Sequence, residues 1–145
     1  QKFGHDPNYL DKDLAEIDKV CAQLISDLED KGVRVNILSE YGITDVDQPI
    51  HINRLLRSMD LIEVREENGL EMLDAGASKA FAMADHQVAH VYINDESKRS
   101  QIIDNLRAHP DIELVLNTDE QSAHHINHDR SGDLVIVAKE KCWFT

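Results

Sequence analysis

No apolar run in the 145-residue chain approaches the roughly 18 residues that a membrane-spanning helix needs, so a transmembrane segment is not expected. No apolar stretch follows Gln1 to Gly4, which argues against a secretory signal peptide. The first residue is not Met, and the opening reads like the middle of a longer sequence, so truncation or processing is expected. Basic residues are scarce: 15 against 28 acidic, for a net charge of −13. Non-specific binding to nucleic acid or to anionic lipid needs a basic surface, so neither partner is expected. Cysteine is limited to Cys21 and Cys142, too few and too far apart for a disulfide framework. That count fits a reducing compartment, and the cytoplasm is the expected location. The chain also lacks a Gly-x-Ser-x-Gly nucleophile elbow, a phosphate-binding P-loop and a Gly-x-Gly-x-x-Gly dinucleotide turn. It has no internal repeat and no linker rich in glycine or serine.

What remains is an ordinary soluble composition, 41% hydrophobic and 30% charged, on a chain long enough for one domain with a real core. Residues 1 to 11 read as a loop broken by Gly4 and Pro7. From Lys12 to Asp30, Leu14, Ile17, Val20, Cys21, Leu24, Ile25 and Leu28 recur at helical spacing, and Gly32 suits a left-handed cap. Cys21 falls on that stripe and is expected to be a small buried thiol. Val33 to Leu38 then reads as a strand buried on both faces. It runs out into Ser39-Glu40-Tyr41-Gly42, and ligands in α/β sheets gather beyond the carboxyl ends of strands. The stretch is the organising element of this reading.

A short helix is expected from His51 to Met59, then a hairpin from Leu61–Arg65 and Leu70–Leu73. Strands are expected at Phe81–Met83, His90–Ile93, Ile112–Leu116 and Asp133–Ala138, with a helix over 95–108. Residues 117 to 132 read as a polar loop, and Trp143-Phe144 as an end anchor. The sum is an α/β chain with a mixed sheet and flanking helices. Three pieces are expected: a core helix and strand over 1–45, a short helix and hairpin over 46–78, and a small α/β lobe over 79–145.

Histidine carries the strongest chemical signal, with eight in the chain. His86 and His90 are four residues apart, close enough to share a metal on a helix. On a strand they would lie on one face but roughly 13 Å apart, so a shared ion needs a bend between them. His124, His125 and His128 form a loop cluster that could bind metal or a protein partner. Glu40, at a strand end, is the preferred lone carboxylate for a metal.

The order of these pieces resembles the C-terminal part of the type I phosphodiesterase/nucleotide pyrophosphatase family, a branch of the alkaline phosphatase superfamily. FGHDPNYLDKDLAEIDKVCAQLISDLEDKGV is similar to the family's Gly-Pro segment and long helix, with Asp18 at the place of its internal Asp. VNILSEYGIT resembles its strand ending in Ser-Asp-His-Gly-Met, and HINHDRSGDLVIVAKEKCWF resembles the close of its strand–helix–strand insert. The resemblance implies a fragment or subdomain of an alkaline-phosphatase-like fold. It implies a parent hydrolase of phosphate esters or nucleotides, using two divalent ions, zinc first, and a Thr nucleophile. The nucleophile and the first metal-binding Asp would lie upstream of the matched part. The family's Asp-His pair falls on Glu40 and Tyr41, one of its histidines falls on Gln1, and its last would follow Thr145. Glu40 is therefore the ligand that carries over, with His86 or His90 as stand-ins for the lost imidazole. The isolated chain is expected to be catalytically inert, and the divalent ion, zinc first, is expected in the parent enzyme. The rival expectation is a complete, non-catalytic α/β module whose histidine-rich loops bind a metal or a protein.

Overall fold

A computed structural model describes residues 6–39 and 42–145, which divide into two compact units, 1–45 and 46–145. The first unit holds α1, Pro7–Glu29. The expected loop break at Pro7 is instead the first helical residue, because proline's fixed φ suits that position and its missing N–H is not needed there. The helix closes as expected. The Val33 N–H donates to the Leu28 carbonyl and the Gly32 N–H to that of Glu29, with Gly32 at φ 75°.

Two expectations for this unit are corrected. The stripe forms but is uncovered: Leu14, Ile17, Val20 and Leu24 are each more than half exposed, and Cys21 is exposed rather than buried. Val33 to Leu38 makes no strand, and Ile37 and Leu38 are 78% and 90% exposed. A strand exists only when its N–H and C=O groups pair with a neighbour, and the described residues of this unit provide none.

The second unit carries the core. Strand β1, Gln48–Ile50, pairs in parallel with β8, Cys142–Phe144, and joins the two ends of the unit. Helix α2, Ile52–Ser58, buries Ile52 and Leu56. Strands β2, Val64–Glu67, and β3, Leu70–Leu73, form the expected hairpin, starting three residues later than the pattern suggested. Its turn is Asn68-Gly69, both at positive φ, the pair that matches the twist of a two-residue hairpin.

The main sheet has the order β4-β5-β7-β6, from β4 Ala80–Asp85, β5 Val88–Ile93, β6 Ile112–Leu116 and β7 Leu134–Ala138. Every pairing in it is antiparallel. The mixed character expected of the sheet is thus split: the parallel pair β1–β8 stands in a sheet of its own. Burial in β5 alternates residue by residue, as a strand covered more on one face requires. Central β7 is apolar throughout, and only Val137 is less than fully buried. Helix α3, Arg99–Ala108, follows a 3₁₀ turn at Glu96–Lys98 and presents buried Ile102 and Leu106, one helical turn apart, to the core they share with Val91 and Ile136. At the β4 edge, the Asn53 side chain acts as a strand partner. Its Nδ2 donates to the Ala82 carbonyl and its Oδ1 accepts from the Ala82 N–H, both at 2.8 Å.

The end anchor is Phe144, 3% exposed, and not Trp143, which is 41% exposed, because the two alternate across β8. Among the described residues no helix is long and apolar enough to cross a membrane.

The two thiols differ, and labelling will show it. Cys142 is buried in β8, and burial pushes its thiol above the ordinary range. Titration of the native chain with a thiol reagent is expected to give one fast equivalent, at Cys21, and a second only after denaturation. Two fast equivalents would contradict this burial.

Surface ion pairs set the response to acid. The Arg57 guanidinium holds Glu71 below the usual carboxylate range, Arg99 does the same for Glu96, and the Ser97 hydroxyl for Asp95. A lowered carboxylate stabilises the fold above its unfolded value, and that contribution is lost as pH falls through the folded one. The thermal midpoint is therefore expected to be level near neutrality and to fall below about pH 4, the ordinary carboxylate range. A midpoint that rises on acidification would refute the pairing.

Candidate functional site

Polar side chains converge on the segment between β6 and β7. Sequence reading made all of 117–132 a loop, but Thr118–Ala123 is a helix, α4. The missed signal was Asn117-x-x-Glu120. Asn117 Oδ1 accepts from the Glu120 N–H, and the Glu120 carboxylate accepts from the Asn117 N–H, closing a capping box. The box starts a helix too short to stand on propensity alone. The helix places Gln121, 2% exposed, under the loop that follows.

That loop is fastened along its length. The Ile126 N–H donates to the Gln121 carbonyl, the Ser131 hydroxyl to the Ile126 carbonyl, and the Tyr92 hydroxyl to the Arg130 carbonyl. Two imidazoles act as acceptors: His128 Nδ1 takes the Arg130 N–H at 3.1 Å, and His90 Nδ1 takes the Gly132 N–H at 3.1 Å. With Nδ1 accepting, the N–H of each ring is the one on Nε2. Gly132 runs so close to β5 that a Cβ there would sit 2.7 Å from the backbone N and O of Val91. Asp133 ends the loop, with Oδ2 accepting from the Ile93 N–H and Oδ1 from Arg99. Arg99 also bonds Glu96, and the two carboxylates raise its already high pKa. An open cleft of about 460 Å³ beside this loop is lined by Thr118, Gln121, Asn127, His128, Asp129 and Ser131 together with Gly132 and Asp133.

The residues expected to bind metal lie as follows. Glu40, with Tyr41, lies outside the described residues. His86 is the first residue of the β4–β5 turn, at φ 58°, with its side chain exposed and Nδ1 3.5 Å from Asp85 Oδ1. His90 is half-buried within β5, its ring 6.5 Å from that of Tyr92 and its Nδ1 committed to Gly132. His124 and His125 sit at and just beyond the end of α4, and His128 in the loop. Among the described residues, no group of three or more His, Cys, Asp or Glu could hold a metal ion. The described histidines by themselves do not make up the three protein ligands of a catalytic zinc.

Two solved structures are similar to part of this chain. Both are crystal structures of phosphonoacetate hydrolase from Sinorhizobium meliloti 1021, one in complex with phosphonoformate and one with phosphonoacetate. Each is 24% identical, with a TM-score of 0.46, over 67% of this chain and 23% of that enzyme. This chain thus spans about a quarter of that protein's length. No curated protein sequence is significantly similar. The model of the family Type I phosphodiesterase / nucleotide pyrophosphatase matches residues 1–145, and the chain belongs to that family.

Proposed function

We propose that this chain is part of a metal-dependent hydrolase of phosphate esters, of the phosphodiesterase and nucleotide pyrophosphatase kind, and that it is inert by itself. Membership of the family over residues 1–145 carries the reading. The donor set bounds it: the described residues assemble no metal-holding group, and metals supply most of the rate in such chemistry. Glu40 is the residue we assign to a divalent ion, zinc first, in the longer protein. His86, at an exposed turn, and His90, whose Nδ1 accepts from the Gly132 N–H, are the imidazoles we propose as stand-ins for the one that Tyr41 replaces. The substrate is a small phosphate ester or a nucleotide. Two unpaired cysteines accord with work in a reducing compartment such as the cytoplasm.

Two measurements test this. An immunoblot of source cells against this stretch is expected to show a product well above 16.5 kDa. The purified 145-residue chain is expected to release no nitrophenol from bis(p-nitrophenyl) phosphate with zinc or manganese present. Chelator-sensitive turnover by the chain would sink the claim of inertness. A product of 16.5 kDa without turnover would sink the hydrolase reading and favour a binding module.

A further inference from the structure

We propose that the cleft between α4 and the 124–133 loop binds a neutral, hydroxyl-rich molecule of monosaccharide size. This is independent of the phosphate-ester reading, since every lining residue lies in the 46–145 unit and none is assigned to metal or phosphate.

The observation that points to a ligand is Gln121. Its Nε2 donates to the Leu116 carbonyl at 3.3 Å and to the Gly132 carbonyl at 3.0 Å, which fixes the orientation of the amide. Among the described residues no donor meets its Oε1, although the residue is 98% buried. No fully buried side-chain oxygen or nitrogen among these residues lacks a partner, so this oxygen keeps a small exposure to solvent, and Gln121 lines the cleft. It is an acceptor on an oriented amide, beside an open cleft, with no donor among the described residues.

The surrounding groups select the class. Asp129 and Asn127 make no hydrogen bond to other described residues, so a carboxylate and an amide are free at the rim. His128 spends Nδ1 on Arg130 and offers its Nε2–H as a donor. Asp133 is paired with Arg99, and the remaining carboxylate of the lining, Asp129, with no lysine or arginine in the lining, disfavours a phosphate group. The absence of a three-ligand cluster argues against a metal. No aromatic or large aliphatic side chain lines the cavity, so an apolar ligand gains nothing there. Adjacent hydroxyls satisfy what is left. Two can bridge the oxygens of Asp129, a third can donate to Gln121 Oε1, and ring or hydroxyl oxygens can accept from Asn127 and His128. A cavity of about 460 Å³ holds one sugar ring with bound water. Without an aromatic platform the affinity rests on hydrogen bonds, so it is weak.

The test is a titration of the ¹⁵N-labelled chain with D-ribose, followed by amide spectra, with inorganic phosphate as the contrast. Saturable shifts are expected at the Gln121 side-chain amide and at 127–132 with ribose, and none there with phosphate. Asp129→Ala and Asn127→Ala lie on the exposed loop and leave the core intact. Each is expected to weaken ribose about tenfold, the size of one lost hydrogen bond. Gln121→Leu is expected to abolish the shifts, and its own spectrum reports whether it remains folded. No saturable shift with ribose, a shift unaffected by the two loop variants, or a phosphate response in its place would each overturn the proposal.

Discussion

Gly132→Ala is expected to cost about 3 kcal/mol or more, at the upper end of what overpacking does. The cause is space and not backbone angle, since Gly132 is not among the glycines at positive φ. A Cβ at this position would meet the N and O of Val91 at 2.7 Å and the carbonyl of Leu134 at 2.9 Å. Those atoms are main chain, in β5 and β7, the two central strands of the sheet. No side chain can swing aside to make room. Moving the glycine instead would break the Gly132 N–H bond to His90 and the Gln121 bond to the Gly132 carbonyl. Urea unfolding should therefore show a midpoint shifted far down with an unchanged slope. Gly76→Ala is the control, because its Cβ would meet only the flexible Asp74 side chain, at 3.7 Å. If both glycines tolerate alanine equally, the close approach of the loop to β5 is wrong.

Leu106→Ala is expected to cost about 2–5 kcal/mol, the range for truncating a buried leucine. Leu106 has no exposed surface and stands in one core cluster with Ile102, Leu56 and Ile136. The whole stability of such a domain is about 5–15 kcal/mol, so the variant should melt far below the parent chain. Leu24→Ala makes the comparison sharp. Both leucines occupy inward positions of an amphipathic helical pattern, yet Leu24 is 58% exposed. Its truncation is expected to change the unfolding midpoint by little, within about 0.5 kcal/mol. Equal losses at the two sites would mean that the α1 stripe is covered after all.

This pair also shows how far the sequence could be read. Helical spacing identified α1, α2 and α3 because the period of apolar residues is a local property. β-branched runs and turn residues located the β2–β3 hairpin and strands β5, β6 and β7 for the same reason. Strand β4, expected only over Phe81–Met83, extends over Ala80–Asp85 because Val88–Ile93 pairs along it. The Val33–Leu38 run shows the converse. Its composition is that of a buried strand, but among the described residues no neighbour pairs with it, and most of it is exposed.

The site was less legible than the elements. Histidines drew attention because imidazole is chemically versatile, yet His90 and His128 spend their Nδ1 atoms on backbone N–H groups of one loop. Gln121 and Gly132 have no distinctive chemistry in a sequence. They matter because α4 carries one beneath the loop and the other runs against β5. Only the Asn117–Glu120 spacing hinted at the helix that does this.

The sequence by itself determined the family, the α/β class, the acidity and the apolar periodicity, since each is a sum or a repeat over neighbouring residues. Tertiary structure decided which stripe is covered, which strand is paired and which polar atom is left to face a cleft. Those depend on residues far apart in the chain meeting at a few ångströms, and no local pattern encodes that distance.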